Sequence, residues 1–149
     1  MRKRILSVLL SAVMTLCIFA VPVCAADYVT AIPTPSKVLV DGNQVAFDAY
    51  NIGGANYFKL RDLAMALNNT GSKFSVDFNA IANAIILVGG SDYVAIGGEL
   101  SAGTGESKEA LQTTSAVFYN GSPLHLDAYN IDGANYFKLR DVGTALGFN

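Results

Sequence analysis

A fifteen-residue stretch that occurs twice constrains this chain more than any other feature. Asp48–Asp62 reads Asp-Ala-Tyr-Asn-Ile-Gly-Gly-Ala-Asn-Tyr-Phe-Lys-Leu-Arg-Asp, and Asp127–Asp141 repeats it with one change, Gly53 against Asp132. The offset is 127 − 48 = 79 residues. Near-identity over that length marks an internal duplication, and two such segments are expected to fold alike.

Around the repeated stretch, hydrophobic spacing sets out the local structure. Val38 and Val40 share one face, Val45, Phe47 and Ala49 share another, and Asp41-Gly42 lies between them. Asp-Gly accepts the positive φ angles of a tight turn, so a hairpin is predicted here. The second copy offers the same pattern in Val117 and Tyr119, Asn120-Gly121, then Leu124, Leu126 and Ala128. The repeated stretch supplies the next hairpin, with Tyr50–Ile52 running into Gly53-Gly54 and Ala55–Phe58 leading out. The single difference between copies falls in that turn, at a position where Gly, Asn and Asp are all tolerated.

The period then changes. Leu60, Leu63, Ala64 and Leu67 are spaced for one face of a short helix, with Asp62 in its first turn, where negative charge is favoured. Leu139, Val142 and Leu146 repeat that spacing, and Gly147 is placed to stop the second helix. Only the first copy continues into a third hairpin, in which Phe74, Val76 and Phe78 alternate and Ala84–Val88 is a continuous apolar run suited to a central strand. Tyr93–Ile96 is a candidate for one more strand.

The expected fold is therefore α+β: small antiparallel β-sheets made of hairpins, with one short helix per repeat, one repeat complete and one partial. The predicted divisions are a leader over 1–25, an extended segment over 26–36, the first repeat over 37–96, a linker over 97–114 and the incomplete second repeat over 115–149. The leader has a basic start, Met1-Arg2-Lys3-Arg4, an apolar run from Ile5 to Val21 and small residues at Val23-Cys24-Ala25. That is the layout of a secretory signal peptide, cut after Ala25 or Ala26. It places the protein outside the cytoplasm, secreted or in the cell envelope, with the signal peptide as its one membrane contact. Cys17 and Cys24 are the only cysteines, so no disulfide framework is expected. Asn149 matches Thr70, since 149 − 79 = 70, so the third hairpin lacks a counterpart. Either the second copy packs on the first, or the chain is a shortened form of a longer one. An unpaired sheet edge left in this way is a site for self-association.

From Ala26 onward seven basic side chains face twelve acidic ones, a net of 7 − 12 = −5, which argues against nucleic acid as a partner. Copper or zinc chemistry needs several imidazole or thiolate ligands around one metal, whereas the chain has one histidine, His125, in a strand whose first-copy equivalent is Ala46. No metal and no other cofactor is expected. Asp48 with Asp62, and Asp127 with Asp141, are the carboxylate pairs that a hydrolase would use. Their position beside arginines and tight turns favours a structural role, and a hydrolase is the least favoured reading. Arg61, Asp62, Arg140 and Asp141 are read as structural, each arginine tying a helix start to a carboxylate or to loop carbonyls. Tyr50, Asn51, Tyr57, Tyr129, Asn130 and Tyr136 flank the Gly-Gly and Asp-Gly turns. Aromatic faces beside amides are the candidate ligand-binding set, with a sugar as the ligand.

The strand-to-helix segments Tyr57-Phe-Lys-Leu-Arg-Asp-Leu-Ala64 and Tyr136-Phe-Lys-Leu-Arg-Asp-Val-Gly143, with the hairpin from Phe74 to Val88 behind the first, resemble the copper amine oxidase N-terminal-like domain, or stalk domain. The resemblance covers Lys37–Val88 in full and Ala116–Asn149 in part. Lys59 and Lys138 depart from it, standing where that family commonly has proline. What it implies is a non-catalytic module of secreted or envelope proteins, not an oxidase. The reading that follows is a non-enzymatic structural or interaction module whose partner is another envelope protein or cell-wall polysaccharide, a cell-wall glycan-binding module being the alternative.

Overall fold

The computed structural model describes residues 26–35 and 37–148, so the signal-peptide reading lies outside the described residues. Among these residues the strands are β1 (Tyr28–Pro33), β2 (Val38–Val40), β3 (Asn43–Val45), β4 (Ala49–Ile52), β5 (Ala55–Lys59), β6 (Phe74–Asn79), β7 (Ala84–Gly89), β8 (Lys108–Gln112), β9 (Ala116–Tyr119), β10 (Ser122–Leu124), β11 (Ala128–Ile131) and β12 (Ala134–Lys138). Helix α1 is Leu60–Leu67 and helix α2 is Leu139–Leu146.

Four hairpins turn where the sequence places them. Asp41-Gly42, Gly53-Gly54, Asn120-Gly121 and Asp132-Gly133 all have positive φ at both positions, as a two-residue type I′ turn requires. In two of them an asparagine braces the turn. Asn51 Oδ1 accepts from the Gly54 N–H at 3.2 Å, and Asn130 Oδ1 accepts from the Gly133 N–H at 3.1 Å. Helix α2 stops at Gly147, whose φ of 81° no β-branched residue would take up comfortably.

The mostly β architecture with one helix per repeat agrees with the α+β expectation, but not all of the hairpins form open sheets. Six strands close into an antiparallel barrel in the order β1-β4-β5-β12-β11-β8. The pairing register shows why. Ile32 pairs with Asn51 and Pro33 with Tyr50; adding 79 to each gives Leu111 with Asn130 and Gln112 with Tyr129, which are the β8–β11 pairs. The two seams between copies map onto themselves under the same shift. Phe58 faces Phe137 where β5 meets β12, and Thr30 faces Glu109 where β1 meets β8. Each repeat thus contributes a three-stranded half, and the halves join about a pseudo-two-fold axis through those two pairs.

Three segments differ in detail from the sequence expectation. Residues 97–114 are not wholly linker, because β8 is a barrel stave with Ala110 fully buried. The segment 26–36 likewise contains β1, the equivalent stave of the first repeat. Tyr93–Ile96 forms no strand; Asn68 holds it against the end of α1, its Nδ2 donating to the Tyr93 carbonyl at 3.0 Å while its Oδ1 accepts from the Tyr93 N–H at 2.7 Å.

The core has two parts. The inner face of the barrel carries Ala31, Tyr50, Ile52, Tyr57, Ala110, Ile131 and Tyr136. Outside it, Phe58 and Phe137 lead into a larger core with Leu60, Leu63, Phe74, Leu87 and Val142. A second sheet, β10-β9-β7-β6, covers part of that outer core, with β7 central as its continuous apolar run suggests. Its middle contact joins the repeats, since β9 of the second pairs in parallel with β7 of the first, Ile85 opposite Val117. The corresponding hairpin of the first repeat, β2–β3, is a sheet of two strands only. No helix among the described residues is long and apolar enough to cross a membrane.

Candidate functional site

The four tyrosines beside the turns point into the barrel. Tyr50, Tyr57 and Tyr136 are buried and Tyr129 is half-buried. They stack edge to face in two symmetry-related pairs, Tyr50 with Tyr136 at 5.5 Å and Tyr57 with Tyr129 at 5.2 Å between ring centres. Strand alternation explains this, since Tyr50 and Ile52 share the inner face while Ala49 shares the outer face with Phe58. These rings thus pack against one another in the barrel interior. Asn51 and Asn130 close the turns and also donate through Nδ2 to Asn56 Oδ1 at 2.9 Å and Asn135 Oδ1 at 3.4 Å.

One end of the barrel is polar. The Tyr136 hydroxyl donates to Asp48 Oδ2 at 2.9 Å across the seam between repeats. Burial, then the Asp48 carboxylate, pushes the Tyr136 phenol well above its usual range. Burial and the same carboxylate push Tyr50 up to about 12. The loop at Gly103 lies so close to Asp48 that a Cβ there would strike the carboxylate. Beside it, Lys108 pairs with Asp132 at 3.1 Å. The Asp48 carboxylate accepts from the Tyr136 hydroxyl and lines a cavity of about 170 Å³ together with Tyr50, Lys108 and Asp132.

The two helix starts, identical in sequence, differ in surroundings. Asp62 is fully buried, and its Oδ1 accepts from the Leu100 N–H at 3.1 Å. Lys59 Nζ is 3.9 Å from Oδ2. Burial raises the Asp62 carboxyl above its ordinary value, and the Leu100 N–H and Lys59 oppose that shift. Arg61 donates to the Val76 carbonyl at 3.5 Å and to the Tyr93 hydroxyl at 3.3 Å. Tyr93 in turn donates to Glu99 at 2.6 Å, and that bond, with the Ile96 and Gly97 N–H groups, lowers the Glu99 carboxyl to about 2. These bonds fasten the 93–100 loop over α1. In the second copy Arg140 is exposed and Asp141 meets Lys138 at 3.7 Å. His125 is exposed, and no group of three or more metal-ligating side chains occurs among the described residues.

The spaces beside the two helices also differ. A groove of about 870 Å³ runs between β2, the second half of α1 and the exposed side of α2. Its lining is mixed, with Val38, Leu39, Leu67, Leu139 and Phe148 beside Lys37, Lys138, Arg140 and Thr144. Its symmetry mate at α1 shares equivalent walls, 59–61 with 133–135 matching 138–140 with 54–56, but holds only about 650 Å³. Val76, Asp77, Phe78 and Ile85, from the β6–β7 hairpin, line that smaller space and have no counterpart at α2.

No family model, curated protein or solved structure matches this chain. The groove escaped the sequence reading because it is the outcome of two hairpins meeting across a closed barrel.

Proposed function

We propose that this protein is a non-catalytic, extracytoplasmic interaction module of the stalk-domain kind, which presents an open sheet edge and a groove of mixed lining beside a closed barrel. The observation that carries this reading is the groove beside α2: among the described residues β6–β7 packs on α1, and no described strand pairs with the outer edge of β2. A groove with apolar and basic side chains beside a strand edge that no described strand pairs is a surface that binds through backbone hydrogen bonds and side-chain burial together. The leader-like sequence at the N-terminus and the duplicated Tyr-Phe-Lys-Leu-Arg-Asp segments support the extracytoplasmic and stalk-type parts of the proposal. The buried tyrosines weigh against the glycan-binding alternative, since their faces are spent on one another.

Site-specific photo-crosslinking in intact cells tests it. A crosslinker at Leu39, which is 64% exposed beside the groove, is expected to yield adducts with an envelope component. One at Ile81, exposed at the far turn of β6–β7, is expected to yield none. Equal labelling at both positions, or none at Leu39, overturns the reading, as does retention of the protein in the cytoplasmic fraction.

A further inference from the structure

The space beside the start of α1 shares no lining residue with the groove beside α2. It holds about 650 Å³ between the first turn of α1, the β6–β7 hairpin, the 96–99 loop, the 112–115 connection and the β11–β12 turn. Pockets for small molecules run from about 300 to 1,000 Å³.

Its wall contains an unsatisfied carboxylate oxygen. Asp62 lines the space and is fully buried. Its Oδ1 accepts from the Leu100 N–H, but Oδ2 is the one buried side-chain nitrogen or oxygen among the described residues without a hydrogen-bond partner. A buried acceptor left unbonded is costly. Lys59 Nζ, on a partly exposed side chain, is 3.9 Å from that oxygen, too far for a direct hydrogen bond. A hydroxyl set between the two accepts from Nζ and donates to Oδ2, both at ordinary lengths of about 2.7–3.0 Å.

The surrounding charge favours a neutral ligand. Asp77 and Glu99 line the space with Asp62, against Lys59 and Arg61. Glu99 is spent on the Tyr93 hydroxyl and the Ile96 and Gly97 N–H groups, and Arg61 donates to the Val76 carbonyl and the Tyr93 hydroxyl. A phosphate or carboxylate would approach carboxylates here, and an organic cation would approach Lys59 and Arg61. Gln112 and Asn135 add primary amides, each both donor and acceptor. Hydroxyl groups match such a lining, because each gives and takes a hydrogen bond at once. Phe78 and Ile96 also line the space and are 44% and 69% exposed, apolar surface for the C–H face of a sugar ring.

We infer that the space beside the start of α1 is a binding site for a neutral carbohydrate, with Asp62 and Lys59 holding one hydroxyl, Gln112 and Asn135 others, and Phe78 against the ring. The inward tyrosine pairs, closed on one another, take no part. The inference goes beyond the interaction-module reading and does not depend on the groove beside α2.

Titration calorimetry of the purified protein with cellotetraose and with chitotetraose tests it. Saturable binding of at least one at millimolar ligand, insensitive to added salt, is expected, and the preference separates plain hexose chains from N-acetylated ones. Asp62→Asn keeps an acceptor for the Leu100 N–H but removes the second carboxylate oxygen, and is expected to weaken binding by about tenfold or more. Phe78→Ala and Gln112→Ala, at exposed positions, are expected to weaken it while leaving the fold intact, so they carry the test if Asp62→Asn does not fold. Asp141→Asn, the same change in the other copy, is expected to leave binding unchanged. No saturable binding of either sugar overturns the inference. So does full affinity in folded Asp62→Asn, Phe78→Ala and Gln112→Ala variants, or an equal loss with Asp141→Asn. Binding of glycylglycine in place of the sugars, lost with Asp62→Asn, would make the ligand a zwitterion and overturn the carbohydrate assignment.

Discussion

Tyr136 and Asp48 join the two repeats through one hydrogen bond inside the barrel end, and that bond has a measurable cost. Tyr136→Phe keeps the ring and its edge-to-face contact with Tyr50 but removes the hydroxyl that donates to Asp48 across the seam. A loss of about 1–2 kcal/mol at neutral pH is expected by denaturant titration, since the bond involves a charged acceptor. Alkali tests the same cluster. The folded phenols of Tyr50 and Tyr136 ionise above the unfolded value of 10, Tyr50 at about 12, so the folded state holds protons that the unfolded state releases. Their contribution is complete below pH 10 and is lost as pH rises toward 12 and beyond. Phenolate absorbance and loss of β-structure should therefore rise together in that range. Tyr136→Phe should flatten the alkaline limb, having one fewer suppressed phenol. The inward direction of these tyrosines was hidden in the sequence for a definite reason. Both faces of β4 and β5 are buried, Ala49 and Phe58 outside and Tyr50 and Tyr57 inside, so alternation shows two faces without saying which one lines a barrel.

Among the elements, the turns, helices and third hairpin were legible because each carries its own local signal: paired positive-φ residues, a three-to-four spacing, a continuous apolar run. Strand β8 had none. Lys108-Glu-Ala-Leu-Gln112 commits only Ala110 to the interior and lies in a stretch rich in Gly, Ser and Thr. What would have found it is the 79-residue shift carried upstream of the obvious repeat, which sets Ala31 against Ala110 and Ile32 against Leu111. The consequence is testable by substitution. Ala110→Glu places a carboxylate at a fully buried barrel position and is expected to cost about 3 kcal/mol or more, or to prevent folding. Glu109→Ala, one residue away on the exposed side, should stay within about 0.5 kcal/mol. Equal, negligible effects in both would return the segment to a connecting role.

At the scale of the whole molecule, the duplication gave the number of repeats and their internal order, while closure came from pairing that no local pattern encodes. Every strand of the barrel that crosses from one repeat to the other does so antiparallel to its own equivalent, Phe58 against Phe137 and Thr30 against Glu109. Such a joint behaves as a dimer interface that happens to lie within one polypeptide. The exposed connection around Gly105 is then the only covalent tie between the halves on that side, and cutting it should not separate them. Residues 26–104 and 105–149, made as two chains, are expected to find each other and elute together from size exclusion, with the β-sheet signal of the intact protein. A scaffold assembled this way is dividable: either half can be exchanged for a variant of itself, and the molecule can be reshaped by mixing partners instead of by rewriting one long sequence.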